Sequence, residues 1–203
     1  MKLFLFSIVT TLTLYGYDQM DIDKLLKDEE CKICDFSNAN LSGIDLSGFD
    51  IQESDFQNAN LENSNLFMTE LEGCNFQGAN LQNTIFWKAN LRFSNLTNVK
   101  AKKANFKGAN LQNSTLKNSD LSYSISWKAD FTDASIDTTD FSNSELGDAK
   151  FYHNDISSSN LKGAILWQTK FKDTTLIFEQ CNDAKKEEAL FLENVICQKK
   201  EQY

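Results

Sequence analysis

From Phe36 to Leu176, every fifth residue of the chain is apolar, with lapses only at Ala101 and Ser126. A second series of mostly small residues stands two positions earlier, and Asn or Asp often lies between the two, as in Ala39-Asn40-Leu41. The register holds over 29 units without insertion or deletion. A period of five fits neither an α-helix nor an ordinary β-strand. It predicts a backbone that turns a corner every five residues.

Four such units would close one square coil, and successive coils would pair as parallel β-ladders about 4.8 Å apart. The pattern therefore predicts an all-β fold, a quadrilateral parallel β-helix of about seven coils. The central Leu and Phe residues would fill its interior, with Ala, Ser and Thr at the tighter inward position. Asn and Asp suit the turns because their side chains bond nearby backbone groups. The chain contains no proline, which agrees with an uninterrupted ladder of amide donors.

The units Ala39-Asn40-Leu41 and Ala129-Asp130-Phe131 resemble those of the pentapeptide-repeat proteins. The resemblance covers most of the chain and implies a right-handed β-helix. Solenoids of this kind present extended surfaces and need capped ends. Some members of the family resemble duplex DNA in shape and charge and act on topoisomerases, so the resemblance also implies that function as an alternative.

The N-terminal residues differ in character from the repeats. Lys2 precedes an apolar run from Leu3 to Leu14, and Gly16 follows. The run is shorter than the about 20 residues of a membrane-spanning helix, and it predicts a cleaved secretory signal peptide. The mature protein would then be periplasmic or secreted and bacterial, with an uncleaved anchor as the alternative. The predicted organisation is a signal peptide at 1–16, an N-terminal cap at 17–35, the β-helix at 36–180 and a C-terminal cap at 181–203.

Two of the five cysteines fall at the start of the predicted rod. Residues 21–27 have the pattern of a short amphipathic helix, and Cys31 and Cys34 follow it. An exposed coil end invites strand pairing, so a disulfide between these cysteines would hold a short cap over that end in an oxidising compartment. A redox-active motif is the alternative, although it would require a helix start in a βαβ context. Zinc would require a second Cys or His pair.

The five-residue register dissolves after Leu176, and residues 182–192 open like a capped helix. Cys181 and Cys197 could pair, but a straight helix between them would separate them by about 24 Å. A bridge would therefore require the helix to end and the chain to return. Phe191 and Ile196 keep the register, so an interrupted final coil is the alternative. Cys74, at a small inward position, is expected to be free and buried.

Three tryptophans interrupt the outer positions at intervals of 40 residues, or two coils. Each follows a central residue and so points outward on one face, and each is preceded two residues earlier by Ile where Asn or Asp is usual. An apolar stripe with a Trp roughly every 10 Å is the kind of patch that marks a contact surface. This predicted Ile/Trp face consists of Phe67, Ile85, Trp87, Ile125, Trp127, Ile165 and Trp167.

Contact with a partner is one of three roles that the sequence allows for the Ile/Trp face. The chain's own terminal helix could instead cover the face, or the side chains could stack only for stability. Lys107 and Gly147 occupy the intervening coils, and Met68 extends the face towards the N-terminus.

Charged residues form bands along the predicted rod. Residues 35 to 72 contain eight acids and no base, residues 73 to 119 contain seven bases and no acid, and residues 120 to 155 contain eight acids against two bases. Bands about as wide as the Debye length would steer a partner or stagger two rods. A solvated surface that keeps an exported protein soluble is the alternative. The predicted basic belt consists of Lys100, Lys102, Lys103 and Lys107.

The sequence contains no recognisable catalytic set. His153 is the single histidine, and it has no second base or cysteine near it in sequence. A glycine-rich phosphate loop and a histidine-rich metal pattern are both absent from the sequence. The sequence therefore predicts no enzyme, no cofactor, no metal ion and no small-molecule substrate.

The function that the sequence favours is a non-enzymatic binding or scaffold rod that uses the Ile/Trp face on an unknown protein partner or on itself. A DNA-mimicking topoisomerase-interacting protein is one alternative, against which the export signal and the basic belt argue. A purely structural, self-associating rod is another. Binding of carbohydrate or peptidoglycan by stacking on the tryptophans is a further alternative, but the sequence shows no pattern of polar residues that supports it.

Overall fold

A computed structural model of the protein describes residues 18–27 and 31–199. The predicted signal peptide, 1–16, lies outside these residues. Within the described ranges, helices are too short or too polar to cross a membrane.

Successive coils pair in parallel at a spacing of 20 residues, from Asp35↔Asp55 at one end to Asp155↔Thr175 at the other. The amides of most central residues donate to a carbonyl of the next coil, as from Phe36 N to Asp55 O over 2.7 Å. Longer strands occur near the C-terminal end, where β1 (Lys150–Tyr152) pairs with β2 (Lys170–Lys172), and β3 (Thr175–Ile177) follows. The parallel β-helix predicted from the period of five is confirmed.

Central side chains fill the interior in stacks that run along the rod. The rings of Phe86 and Phe106 lie parallel with centroids 5.0 Å apart, and those of Phe131 and Phe151 lie 4.9 Å apart. Both lapses in the series, Ala101 and Ser126, are also fully buried. Hydroxyls at the small inward positions bond to carbonyls of the same or the preceding coil, which satisfies these buried groups. Examples are Thr84 Oγ1 to Leu61 O at 2.7 Å and Ser94 Oγ to Leu91 O at 2.6 Å.

The corners explain why Asn, Asp and Gly recur. From Asn38 to Asp173, the residue two positions after each centre adopts a left-handed conformation, with the exception of Ser158. Examples are Asn58 (φ 56°) and Gly78 (φ 72°), in a region that Gly and Asn enter at least cost. The residue just before the centre closes the turn, since Asp55 Oδ1 accepts from the amide of Gln57 at 2.8 Å. The same Oδ1 accepts from Asn75 Nδ2 of the next coil at 3.0 Å. Asp55 thus stabilises both its own turn and the ladder.

The N-terminal segment packs over the first coil. Helix α1 spans Gln19–Leu26, close to the predicted 21–27, and the side chain of Asp18 caps it by accepting from the amide of Met20 at 2.8 Å. Ile22 and Leu25 are buried in the hydrophobic core. A disulfide joins Cys31 to Cys34, both buried, with Cα atoms 5.7 Å apart.

The C-terminal segment differs from the predicted helix over 182–192. Helix α2 spans Phe178–Lys186, so it begins four residues earlier and ends six residues earlier. Gln180 fixes its start, because Oε1 accepts from Ile177 N at 2.8 Å and Nε2 donates to the carbonyls of Ile156 and Ser159 at 3.1 and 2.7 Å. The two bonds from Nε2 reach another coil. The local capping pattern at Asn182 therefore does not indicate where the helix begins.

The chain returns to the rod after α2. Strand β4 (Leu190–Phe191) pairs with β2, and Phe191 lies in register with Phe171, their ring centroids 5.8 Å apart. Strand β5 (Ile196–Gln198) pairs with β3 at a spacing of 21 residues, one more than between the other coils. Ile196 is therefore 57% exposed, and its predicted inward position is wrong. The turn-back brings Cys197 to Cys181, and a disulfide joins them with Cα atoms 6.0 Å apart.

One inward position contains a buried amide side chain. Asn154 is buried, and its Nδ2 donates to the carbonyls of Phe131 and Ala134 at 3.0 and 2.8 Å. These carbonyls belong to the preceding coil, so the side chain is wedged between two coils. Among the described residues, the bridge between 135 and 155 is missing from the otherwise regular series. The hydroxyl of Ser158 instead accepts from the amide of Thr138 at 3.0 Å.

Candidate interaction surface

The Ile/Trp face is built by the ladder itself. Coil pairing places Ile85, Asn105, Ile125, Glu145 and Ile165 in one column, and the residues two positions later form a parallel column. The exposed fractions are 39% for Ile85, 36% for Ile125, 44% for Ile165, 40% for Trp87 and 46% for Trp167, while Phe67 and Trp127 are partly buried. Helix α2 packs elsewhere, at Ile156 and Ser159.

The three Ile residues occupy positions where the repeat normally supplies a hydrogen bond. In neighbouring coils of the same column, Asn65 Oδ1 accepts from Phe67 N at 3.2 Å, and Asn105 Oδ1 accepts from Lys107 N at 3.0 Å. An Ile side chain cannot accept such a bond, whose net contribution is typically about 0.5–1.5 kcal/mol. Turn stability therefore does not explain Ile at these positions.

The aromatic rings form two clusters and not the evenly spaced stripe that the sequence predicted. Phe67 and Trp87 have ring centroids 4.9 Å apart, and Trp127 and Trp167 have centroids 6.0 Å apart. Trp127 leans across the intervening coil, where Gly147 has no side chain: a Cβ there would lie 2.4 Å from Cζ3 of the indole. The indole Nε1 donates to Glu145 Oε2 at 2.9 Å. Gly147 is thus needed for close approach of the ring.

Replacing Gly147 by alanine should destabilise the protein by about 1–2 kcal/mol, since the methyl group forces the indole out of its site. The Trp127 emission should shift to the red as the ring enters water. Urea unfolding followed by circular dichroism and by fluorescence measures both effects. In a Trp127→Ala background the same substitution should be neutral or slightly stabilising, because only the backbone effect of losing a glycine remains. An equal cost in both backgrounds would contradict the packing argument.

The four lysines of the basic belt are exposed. Lys102 lies over the Tyr123 ring, with Nζ 5.2 Å from the centroid. Ion pairs form at the borders of the bands, Arg92 with Glu72 at 3.8 Å and Lys117 with Asp137 at 2.9 Å. Within the described part of the chain, the ion pairs do not include Lys100, Lys102, Lys103 or Lys107.

Other predicted chemistry is accounted for by structural contacts. His153 lies between Asp133 and Asp173 of the adjacent coils, with N to O distances of 3.0 and 3.4 Å, an arrangement that the 20-residue column would have indicated. Asp21 lies close to Cys31 and Cys34, but the disulfide occupies both sulfur atoms. Cys74 is free and buried as predicted, and burial raises the pKa of its thiol to about 12.

Some exposed aromatic and charged groups were not singled out from the sequence. Phe93 and Tyr123 stand at turn positions that Asn or Gly usually fills, and both are half exposed. Lys88 lies over the Trp87 ring, with Nζ 5.6 Å from the centroid. The sequence signal for these residues is that Lys88, Phe93 and Tyr123 replace the usual Asn or Gly two positions after the centre.

The pentapeptide repeats family model matches this chain in eight copies, over residues 34–66, 74–113, 94–135 and 129–168. The matches cover more than half of the chain, so the protein belongs to the pentapeptide repeat family. Members of this family fold as right-handed β-helices and are typically structural or protein-interacting rather than enzymes.

Two solved structures are among those that match the chain. HetL, a pentapeptide repeat protein involved in heterocyst differentiation regulation in the cyanobacterium Nostoc sp. strain PCC 7120, is 19% identical over 84% of each chain, with a TM-score of 0.49. QnrB1, a plasmid-mediated fluoroquinolone resistance protein, is 17% identical over 84% of this chain and 81% of its own, with a TM-score of 0.45. The comparison with curated proteins found no match.

Proposed function

We propose that the chain is an exported, non-enzymatic pentapeptide repeat protein that serves as a binding or scaffold rod through its Ile/Trp face. The observation that carries this proposal is the column of Ile85, Ile125 and Ile165, exposed at positions where Asn or Asp in other coils supplies a stabilising hydrogen bond. The tryptophans beside them belong to the residue type most enriched in binding hot spots. Exposed apolar patches of this kind mark interaction sites.

Export rests on different support. The apolar run from Leu3 to Leu14 after Lys2 has the composition of a signal peptide. Two disulfides, Cys31–Cys34 and Cys181–Cys197, favour an oxidising compartment, because cytosolic thiols are kept reduced. The proposed location is the bacterial periplasm or the exterior.

The basic belt argues against a DNA mimic. Duplex DNA carries about one negative charge per 1.7 Å of its axis, and a mimic needs a comparable run of negative charge. Lys100, Lys102, Lys103 and Lys107 are exposed in the middle of this rod. The basic belt therefore interrupts the acidic surface of the rod.

Photocrosslinking in cells tests the proposed face. A photoreactive residue is placed at Lys107, between Trp87 and Trp127, and in a control at Gln77, which is also exposed and holds the same place in its unit on the opposite face. We expect a protein adduct from position 107 and none from position 77. Changing Trp87, Trp127 and Trp167 to serine should remove the adduct while circular dichroism stays unchanged.

The adduct's mass separates the partners. Twice the mass of the chain indicates a second copy, and any other discrete mass indicates a different protein. Equal labelling at both positions, or no adduct at 107, would contradict the proposed function.

A further inference from the structure

The Ile/Trp face has an ordered sequence of apolar and charged coils. Counting from the N-terminus, the column before the centres contains Ile85, Asn105, Ile125, Glu145 and Ile165. Two positions after each of these stand, in the same order, Trp87, Lys107, Trp127, Gly147 and Trp167. In these two columns, the coils are thus apolar, basic, apolar, acidic and apolar. On either side of the coil of Ile125 and Trp127, the outer coils are both apolar. The two coils between them and the centre have opposite charge.

This order is self-complementary when two rods lie face to face and antiparallel. The two-fold axis lies between the two faces, perpendicular to the rods, at the coil of Ile125 and Trp127. It places each coil opposite the coil of the copy that lies at the same distance beyond the axis. Each column then faces the same column of the copy. Ile85 and Trp87 then face Ile165 and Trp167 of the copy. Ile125 and Trp127 face their own counterparts.

The charged coils also match in this arrangement. Lys107 of one rod faces the coil of Glu145 and Gly147 in the other. In a parallel two-fold pair each coil would face the same coil of the copy, so the basic coil of Lys107 would face a basic coil and the acidic coil of Glu145 would face an acidic one. Like charges placed opposite each other oppose association, and opposite charges fix register and orientation. The charge order therefore favours the antiparallel pair over the parallel one.

We infer that a second copy of this chain, antiparallel and centred on Ile125 and Trp127, covers the Ile/Trp face. The inference rests on the proposed function, because it names the partner of the same surface. The five coils span about 19 Å along the rod at 4.8 Å per step. A face of this length buries less than the about 800 Å² per partner of a standard interface. The dimer is a reversible one, with a dissociation constant in roughly the micromolar range or weaker.

Charge reversal with mixing provides the test. Sedimentation equilibrium of the purified chain without its first 16 residues should show a monomer–dimer equilibrium. Lys107→Glu alone and Glu145→Lys alone should each weaken the dimer by about tenfold or more, because each places two like-charged pairs in the homodimer. An equimolar mixture of the two variants should bind more tightly than either variant alone, since both charge pairs in the heterodimer are again of opposite sign; Glu145→Lys still lacks the bond to Trp127. Lys102→Glu, in the same coil and unit position as Lys107 but on the neighbouring face, should leave the affinity unchanged.

The outcomes separate this inference from the proposed function. A chain that remains monomeric to millimolar concentration, a mixture that fails to recover, or a dimer strengthened by Lys107→Glu would overturn the antiparallel dimer. A photocrosslink at position 107 to a different protein would still support the proposed function in that case. Circular dichroism and unfolding midpoints of each variant show that the rod itself is intact.

Discussion

The Phe151→Ala variant should lose about 3–5 kcal/mol of its free energy of unfolding, the range for large buried aromatic side chains. Phe151 is fully buried, and its ring centroid lies 4.9 Å from Phe131, 5.6 Å from Phe171 and 5.9 Å from Phe141. Removing the ring leaves a cavity between three coils that the ladder prevents from collapsing. Urea unfolding followed by circular dichroism measures the loss.

Phe93→Ala is the matched control. Its ring is 52% exposed and stands at an outer turn position, so the free energy of unfolding should change by no more than about 0.5 kcal/mol. Similar losses for the two variants would show that the internal Phe stack does not dominate the stability of the rod.

Removing the Cys181–Cys197 disulfide should lower the local stability of the C-terminal segment by about 3 kcal/mol, the chain-entropy value for a loop of about 15 residues. The sequence separation of this pair is 16, and the three residues of β5 are all exposed. Few other contacts therefore hold β5 against β3. Hydrogen exchange of the β5 amides in a Cys181→Ser/Cys197→Ser variant measures the change.

The N-terminal disulfide provides the comparison. Cys31 and Cys34 are only three residues apart, so their replacement by serine should have a smaller effect, confined to α1 and the first coil. Unchanged β5 protection after loss of the C-terminal bridge would mean that α2 alone holds the segment.

The period of five was sufficient to assign the inward positions of the solenoid. It placed even the lapses Ala101 and Ser126 correctly inside, because the ladder fixes each position whatever its side chain. It also aligned the Ile and Trp columns. The lean of Trp127 towards Trp167 was not predictable from the period, since it depends on the missing side chain at Gly147 and on a bond to Glu145.

The C-terminal end shows the same limit. Phe191 kept the register because its ring stacks on Phe171, but Ile196 lost it because β5 pairs one residue out of step with β3. The start of α2 is set by Gln180 reaching the carbonyls of another coil. Contacts between coils, which local sequence signals do not record, decided each of these features.

The wedge at Asn154 also affects how the rod unfolds. In a solenoid, each coil is stabilised mainly by its neighbours, so cooperativity depends on every coil-to-coil junction. At this junction one face has side-chain bonds in place of the regular bridge, so we expect weaker coupling there than at a regular junction. The coils beyond Asn154, secured by α2 and the Cys181–Cys197 disulfide, are then expected to open and close as a unit while the N-terminal coils stay folded.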